Sequence, residues 1–203
     1  YLQKLIIIIP ANRNTQPLSA TNQKTVKIKQ KQLQQFAFLN KYLEDDNEEF
    51  LELIAPQIGF IVFDFNLLEE RLTSFICQII NYNNDAKGLI ITHNMTYSSK
   101  VDLFDRYASY TQQVLNKNIE SHKKFIEDLK ESGRLRNMVV HAEWNTVDKE
   151  NYTFVKLRTS KNGLIQEFAQ IDYDSLINVR NKIIDTHNYF DEYEELYAEI
   201  TTI

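Results

Sequence analysis

Apolar residues recur at spacings of three and four over long stretches of this chain, most clearly from Pro56 to about Asn81 and again after Asp172. This spacing places apolar side chains on one face of an α-helix. The 203 residues include only four Gly and three Pro, which are few of the turn-forming residues that a many-stranded protein needs. The chain is therefore expected to be mainly α-helical.

Two further helices are predicted between these segments. The first covers Lys100–Leu115 and is capped by Ser98 or Ser99, after a loop over residues 83–99. The second predicted helix carries an apolar stripe from Leu115 to Leu129. Residues 132–133 interrupt or loosen it, and it resumes at Leu135 and ends at residues 144–146. The tetrapeptide at 60–63 (Phe-Ile-Val-Phe) is apolar on all sides and is expected to be deeply buried.

A β-hairpin is predicted before the last helix. Its strands are Tyr152–Thr159 and Leu164–Ile171, joined through an Asn162-Gly163 pair that favours a type I′ turn. Asp172 or Asp174 then caps the final helix. The predicted fold is mainly α: a helical bundle of four to five helices with a β-hairpin inserted before the last helix.

Charge divides the chain into two parts. Residues 1–43 carry seven basic and no acidic side chains, a charge of +7, whereas residues 44–203 carry −12. We expect 1–43 to be a basic leader or arm, solvated or partly disordered, with a short helix from near Gln32 to Tyr42. Contact of this leader with nucleic acid or an acidic partner is the alternative. Residues 44–203 are expected to form the helical domain.

Several classes of protein are disfavoured by simple features. The longest apolar run, Leu5–Ile9, is far shorter than the roughly 20 residues of a membrane span, so no membrane association is expected. A single cysteine, Cys77, cannot form an internal disulfide, which fits a reducing, cytoplasmic location. We find no glycine-rich phosphate loop, no metal-binding spacing of Cys and His, and no serine-hydrolase elbow. No cofactor and no metal ion are expected.

The segment 134–144 remains as the candidate for chemistry. It contains Arg136, the polar Asn137, three apolar residues and His141. This arrangement resembles the signature of the HEPN superfamily, in which an Arg is followed by four to six residues and a His, usually with a polar residue after the Arg. The resemblance covers residues 60 to 200 in its order of helices. It implies a helical, homodimeric, metal-independent endoribonuclease, often a toxin or antiphage effector with an antitoxin partner.

The resemblance implies a role for each of these residues. Arg136 and His141 would be catalytic and Asn137 would assist, with Arg134 as a weaker candidate for substrate binding. Histidine, with an ordinary pKa near 6.5, suits proton transfer, and arginine offers a bidentate fork to phosphate. Arg136 and His141 differ by about 140° around a helix, so one chain makes a poor site. Two copies about a two-fold axis can bring both pairs into one cleft.

Other interpretations remain open. The pair Arg180 and His187 fits the same signature with six intervening residues, but a solvated bundle helix explains it better. His122 lies in an apolar stripe and is expected to be packed in the core or an interface. Glu143 stands where family members modified by a nucleotidyltransferase antitoxin carry Tyr. The rival function is a HEPN-like dimerisation or binding module for a protein or nucleotide partner, which the acidic net charge favours.

Overall fold

The computed structural model describes residues 26–32, 48–144, 147–148, 150–161 and 163–202. These residues form five helices, namely α1 (Glu48–Ile80), α2 (Ala86–Thr92), α3 (Tyr97–Leu115), α4 (His122–Val140) and α5 (Tyr173–Thr201). Three strands, β1 (Ile28–Gln32), β2 (Tyr152–Ser160) and β3 (Gly163–Gln170), form an antiparallel sheet in the order β1-β3-β2. The predicted helical bundle with a hairpin before the last helix is confirmed.

The core forms where α1, α3, α4 and α5 meet. Aromatic rings dominate its centre: Phe75 of α1 packs edge-on against Phe104 of α3, with ring centroids 5.6 Å apart, and against Phe190 of α5 at 6.0 Å. Phe125 of α4 lies 4.9 Å from Phe190. Such edge-to-face pairs are the favoured arrangement of buried aromatic rings. The aromatic content of the chain is thus used mainly to join its long helices.

The expectation that residues 60–63 are deeply buried is wrong for two of them. Ile61 is fully buried, but Phe60 is 45% and Phe63 59% exposed. The other elements pack against one side of α1, so a stretch that is apolar all round leaves part of its surface in water. Helix α1 also has the length and mean hydropathy, 1.5, of a membrane span, a property shared by core helices of soluble proteins. The fold is compatible with a soluble protein.

Strand β1 lies in the predicted basic leader, where no strand was expected. It pairs with β3 from Ile28 opposite Ala169 to Gln32 opposite Ile165. The Gln30 amide also donates to the buried Glu167 carboxylate at 2.9 Å, and Glu167 is paired with Arg158. Backbone pairing and a side-chain hydrogen bond therefore hold residues 28–32 in the sheet. The predicted boundary at 43/44 and most of the predicted short helix lie outside the described residues.

The loop predicted over residues 83–99 contains a short helix, α2. It packs closely on α1 at Gly88, where an added Cβ would lie only 2.5 Å from the Cα of Cys77. The cap of α3 is Thr96 rather than Ser98 or Ser99, and its hydroxyl accepts a hydrogen bond from the Ser99 N–H. Helix α3 therefore begins three residues earlier than predicted, at Tyr97.

Helix α4 runs without interruption through residues 132–133 and ends at Val140, before the predicted 144–146. Gly133 is needed because the Tyr97 ring lies against it, at 2.8 Å from where a Cβ would stand. After the helix, the Trp144 indole N–H donates to the Val139 carbonyl oxygen. The glycine that suggested a break is instead the contact point between α4 and α3.

The predicted hairpin and the cap of the last helix are confirmed. Strands β2 and β3 pair from Tyr152 opposite Gln170 to Ser160 opposite Gly163, with an irregularity between 154 and 156. The turn type involves Asn162, which lies outside the described residues. The Asp172 carboxylate accepts from the Ser175 N–H at 2.8 Å, so Asp172 caps α5.

Candidate functional site

A cleft of about 470 Å³ opens between α1, α3 and α4. Helix α1 supplies Phe65 and Glu69, the start of α3 supplies residues 96–98, and α4 supplies Lys130, Gly133, Arg134, Arg136 and Asn137. Within its wall, the Tyr97 ring at the start of α3 packs directly against Gly133 of α4. Three of the four predicted site residues, Arg134, Arg136 and Asn137, thus line one open cavity.

The Arg136 guanidinium is held by its surroundings without being neutralised. It lies over the Phe65 ring at 5.3 Å, and its Nη1 donates to the Asn137 side-chain oxygen at 3.0 Å. The Arg136 Nε is buried and has no hydrogen-bond partner. None of the described carboxylates forms an ion pair with Arg136. The side chain therefore lines the cleft with a positive charge that no described carboxylate neutralises, as an anion-binding arginine requires.

His141 lies at the end of α4, outside the cleft lining. It is the C-cap residue, with φ −97° and ψ 1°, and its backbone N–H donates to the Asn137 carbonyl oxygen. Its side chain is exposed, and none of the described residues hydrogen-bonds to the imidazole. The structure therefore does not bring His141 and Arg136 to one point within a single chain, in keeping with their angular separation on a helix.

Asn137 contacts the arginine of the motif rather than its histidine. Its side-chain oxygen is engaged by Arg136, while only its backbone carbonyl contacts His141. Asn137 can therefore orient the guanidinium and offer its amide N–H groups to a ligand in the cleft.

Arg134 forms a bidentate ion pair with Glu131, with both N–O distances at 2.7 Å. This hydrogen bonding to Glu131 raises the pKa of Arg134 above its usual value. Arg134 lines the cleft, but its charge is already balanced along its own helix. Glu143 lies just past α4, where its backbone N–H bonds to the Phe154 carbonyl and its carbonyl accepts from Thr153.

Arg180 and His187, the second match to the signature, make contacts typical of a structural role. Arg180 forms an ion pair with Asp64 at 2.7 Å and lies over the Phe60 ring at 4.4 Å. His187 hydrogen-bonds only to Asn188 among the described residues, at 3.4 Å. Arg180 thus joins α5 to α1 and is not available to bind an anion.

His122 is buried, as its place in the apolar stripe predicts. Its Nδ1 is 2.7 Å from the Tyr193 hydroxyl, and its Nε2 is 3.1 Å from an Asp105 carboxylate oxygen and 3.3 Å from the Ser109 hydroxyl. Burial lowers the pKa of His122, and Asp105 opposes this effect. The network connects α3, α4 and α5.

Several residues of the cleft wall were not predicted as site residues, among them Tyr97, Ser98 and Lys130. Tyr97 packs its ring 4.6 Å from that of Phe65 and donates its hydroxyl to the Leu129 carbonyl at 2.9 Å. Burial raises the pKa of the Tyr97 phenol, with Glu69 adding to the rise, so the hydroxyl stays protonated and able to donate. No spacing along the chain signals these residues, because α3 and α4 meet only in the folded bundle.

The described residues contain no cluster of three or more His, Cys, Asp or Glu side chains suited to hold a metal ion. Comparison of the chain with protein-family models, with curated proteins and with solved structures gives no significant match.

Proposed function

We propose that this protein is a metal-independent endoribonuclease of the HEPN type that acts as a homodimer in the cytoplasm. The observation that carries the proposal is the Arg136 guanidinium, which lines an open cleft and forms no ion pair with a described carboxylate. His141, exposed at the end of the same helix, supplies the second group of the signature. The HEPN resemblance extends the proposal to a toxin or antiphage effector with an antitoxin partner.

The reaction requires only proton transfer and charge stabilisation. The RNA 2′-oxygen attacks the adjacent phosphorus, and a neutral imidazole accepts the 2′-hydroxyl proton. The bond from phosphorus to the 5′-oxygen breaks, and an imidazolium protonates the leaving oxygen. The products are a 2′,3′-cyclic phosphate and a free 5′-hydroxyl. Arg136, oriented by Asn137, binds the phosphate as its charge increases.

A dimer is part of the proposal because one chain carries a single His141 outside the cleft. Two exposed helix ends, related by a two-fold axis, would provide two imidazoles for the two proton transfers and two guanidiniums for the phosphate. Cleavage per chain should therefore fall on dilution below the dissociation constant of the dimer. The rival function, a non-catalytic dimerisation or binding module, is favoured by the separation of Arg136 from His141 and by the net charge of −5.

The test is cleavage of end-labelled RNA in EDTA by wild type, His141→Ala and Arg136→Ala. Matched controls are His93→Ala, an exposed histidine after α2, and Arg106→Ala, an exposed arginine whose Nε donates only to a backbone carbonyl. We expect both motif variants to lose at least a hundredfold in rate and both controls to retain it. Absence of cleavage in wild type, or equal loss in motif and control variants, would support the binding module.

A further inference from the structure

The cleft beside Arg136 is locally basic in a chain that is acidic overall. Lys130, Arg134 and Arg136 line it, against one carboxylate, Glu69. The Glu69 carboxylate is bound to the Lys100 Nζ at 2.7 Å. Lys130 has only an exposed contact with Asp102 at 3.3 Å. Because Arg134 is already paired with Glu131, the positive charge that the cleft has to offer an anion comes from Lys130 and Arg136.

The first turn of α3 adds uncharged donors at the same place. The Thr96 hydroxyl accepts from the Ser99 N–H, and the Thr96 carbonyl accepts from the Lys100 N–H. The backbone N–H groups of Tyr97 and Ser98 donate to no described acceptor, and both residues line the cleft. Free N–H groups and the positive end of a 19-residue helix favour a negatively charged group here.

Arg136 provides an independent indication of a ligand. Its Nε is buried without an acceptor, and its Nη2 makes no hydrogen bond to a described residue. These two atoms form the edge with which a guanidinium binds two oxygens of one phosphate. An anion that enters the cleft, with a small shift of the side chain, would satisfy donors that the protein leaves unused.

We infer that this cleft binds a phosphate group of a nucleotide, held by Arg136, Lys130, the Ser98 hydroxyl and the first N–H groups of α3. A cleft of about 470 Å³ is the size of a site for a whole small molecule, so the phosphate is expected to arrive with its nucleoside. Resting on the proposed function, we assign it to the RNA strand at the cleavage site: Arg136 is shared with the scissile phosphate, and Lys130 and the α3 donors hold the phosphate next to it.

The first experiment measures phosphate binding without any cleavage. Inorganic phosphate is titrated into ¹⁵N-labelled wild type, with chloride at equal ionic strength as the reference. We expect saturable shifts of the Tyr97 and Ser98 amide resonances by NMR. Ser98→Glu places a carboxylate beside these donors and should abolish saturation, whereas Ser74→Glu, at an exposed serine of α1, should not. Absence of phosphate-specific shifts in wild type would overturn the inference.

Two variants that remove the same charge test the role of Lys130. Lys130→Gln should weaken phosphate binding at least threefold, whereas Lys123→Gln, which removes the same charge from an exposed position of α4 outside the cleft, should leave it unchanged. Equal weakening in both variants would show that general charge, not the cleft, attracts the anion, and would overturn the inference.

The source of the phosphate is tested with His141→Ala. A single-stranded hexaribonucleotide and adenosine 5′-monophosphate are titrated separately, with the same amide resonances observed. We expect the oligonucleotide to bind at least tenfold more tightly, because a strand also occupies the surface towards residue 141. Equal affinities would overturn the assignment to an RNA strand. Absence of cleavage by wild type, with phosphate binding retained, would reject the endoribonuclease alone, so the two proposals fail separately.

Discussion

Gly133 provides the sharpest test of how the cleft is built. In Gly133→Ala the new Cβ would lie 2.8 Å from Tyr97 Cε1 and 2.9 Å from Cδ1, well inside van der Waals contact. The ring cannot simply move away, because its hydroxyl is bonded to the Leu129 carbonyl and its face packs on Phe65. Overpacking of this kind costs about 1–3 kcal/mol. Helix α4 gains about 1 kcal/mol from alanine propensity, which partly offsets that cost.

Gly59→Ala is the matched control, since this glycine also lies inside a helix but has no heavy atom within 4 Å of the added Cβ. The propensity gain is common to both variants and cancels in their difference. We therefore expect Gly133→Ala to be less stable than Gly59→Ala by about 1–3 kcal/mol. For a chain of this size the melting temperatures should then differ by roughly 2–12 °C.

The assay is urea unfolding followed by circular dichroism, with the free energy of unfolding compared between variants of equal m-value. Tyr97→Leu, which removes the ring edge that meets the new methyl group, should reduce the cost of Gly133→Ala in a double-mutant cycle. Equal stabilities of Gly133→Ala and Gly59→Ala would refute the described contact between α3 and α4, and with it the shape of the cleft.

Three further outcomes follow from the contacts around the site. As the pH falls below about 6.5, the free energy of unfolding should decrease more steeply in wild type than in His122→Gln, by at most about 1.4 kcal/mol per pH unit. The reason is that burial lowers the pKa of His122, so the unfolded chain binds the proton first. Urea unfolding across pH 5–8 checks this, and equal slopes would contradict it. Asp172→Ala should cost about 1 kcal/mol through loss of the α5 cap, and Asp174→Ala, at an exposed first-turn position, should cost less. Arg180→Ala should lower stability by about 1 kcal/mol through loss of its contacts with α1, yet leave RNA cleavage unchanged; loss of cleavage in a folded variant would assign function to the second motif.

The long helices could be predicted because each has one buried face, and the spacing of its apolar residues records that face. Strand β1 could not. Its sequence, Ile-Lys-Gln-Lys-Gln, is exposed throughout and is positioned by backbone pairing with β3 and by the Gln30–Glu167 hydrogen bond. A polar edge strand carries no hydrophobic pattern, so its partner determines its conformation.

The exposure of Phe60 and Phe63 shows where periodicity gives incomplete information. A stretch that is apolar on every side predicts burial all round, but the number of helices that pack on α1 is a property of the bundle. Ile61 points into the core, and its two aromatic neighbours do not. Sequence indicated that α1 is central, but not which of its faces is covered.

The candidate site, too, could be predicted from the sequence only in part. Arg136, Asn137 and His141 are close in sequence, so their spacing on α4 could be recognised directly. The residues that line the cleft with Arg136, among them Phe65, Tyr97 and Ser98, come from two other helices and meet α4 only through tertiary packing, at Gly133 above all. The sequence therefore indicated which side chains are candidates for chemistry, while the folded bundle determines that Arg136 lines a cleft and His141 does not.

The charge distribution leads to a final prediction that separates the cleft from the basic leader as the source of RNA affinity. The cleft and the adjoining motif would neutralise about two phosphates, which for single-stranded RNA gives a slope of about −1.4 for log K against log salt. The leader carries seven cations, and its full engagement would give a slope near −5. Binding of a single-stranded RNA of about twelve nucleotides, which has more phosphates than the leader has cations, to His141→Ala between 50 and 200 mM salt distinguishes the two. A shallow slope is expected, because a chain of net charge −5 repels RNA at long range and must bind it through a few well-placed donors. A slope steeper than about −4 would place the affinity in the leader and leave the cleft without a part in RNA binding.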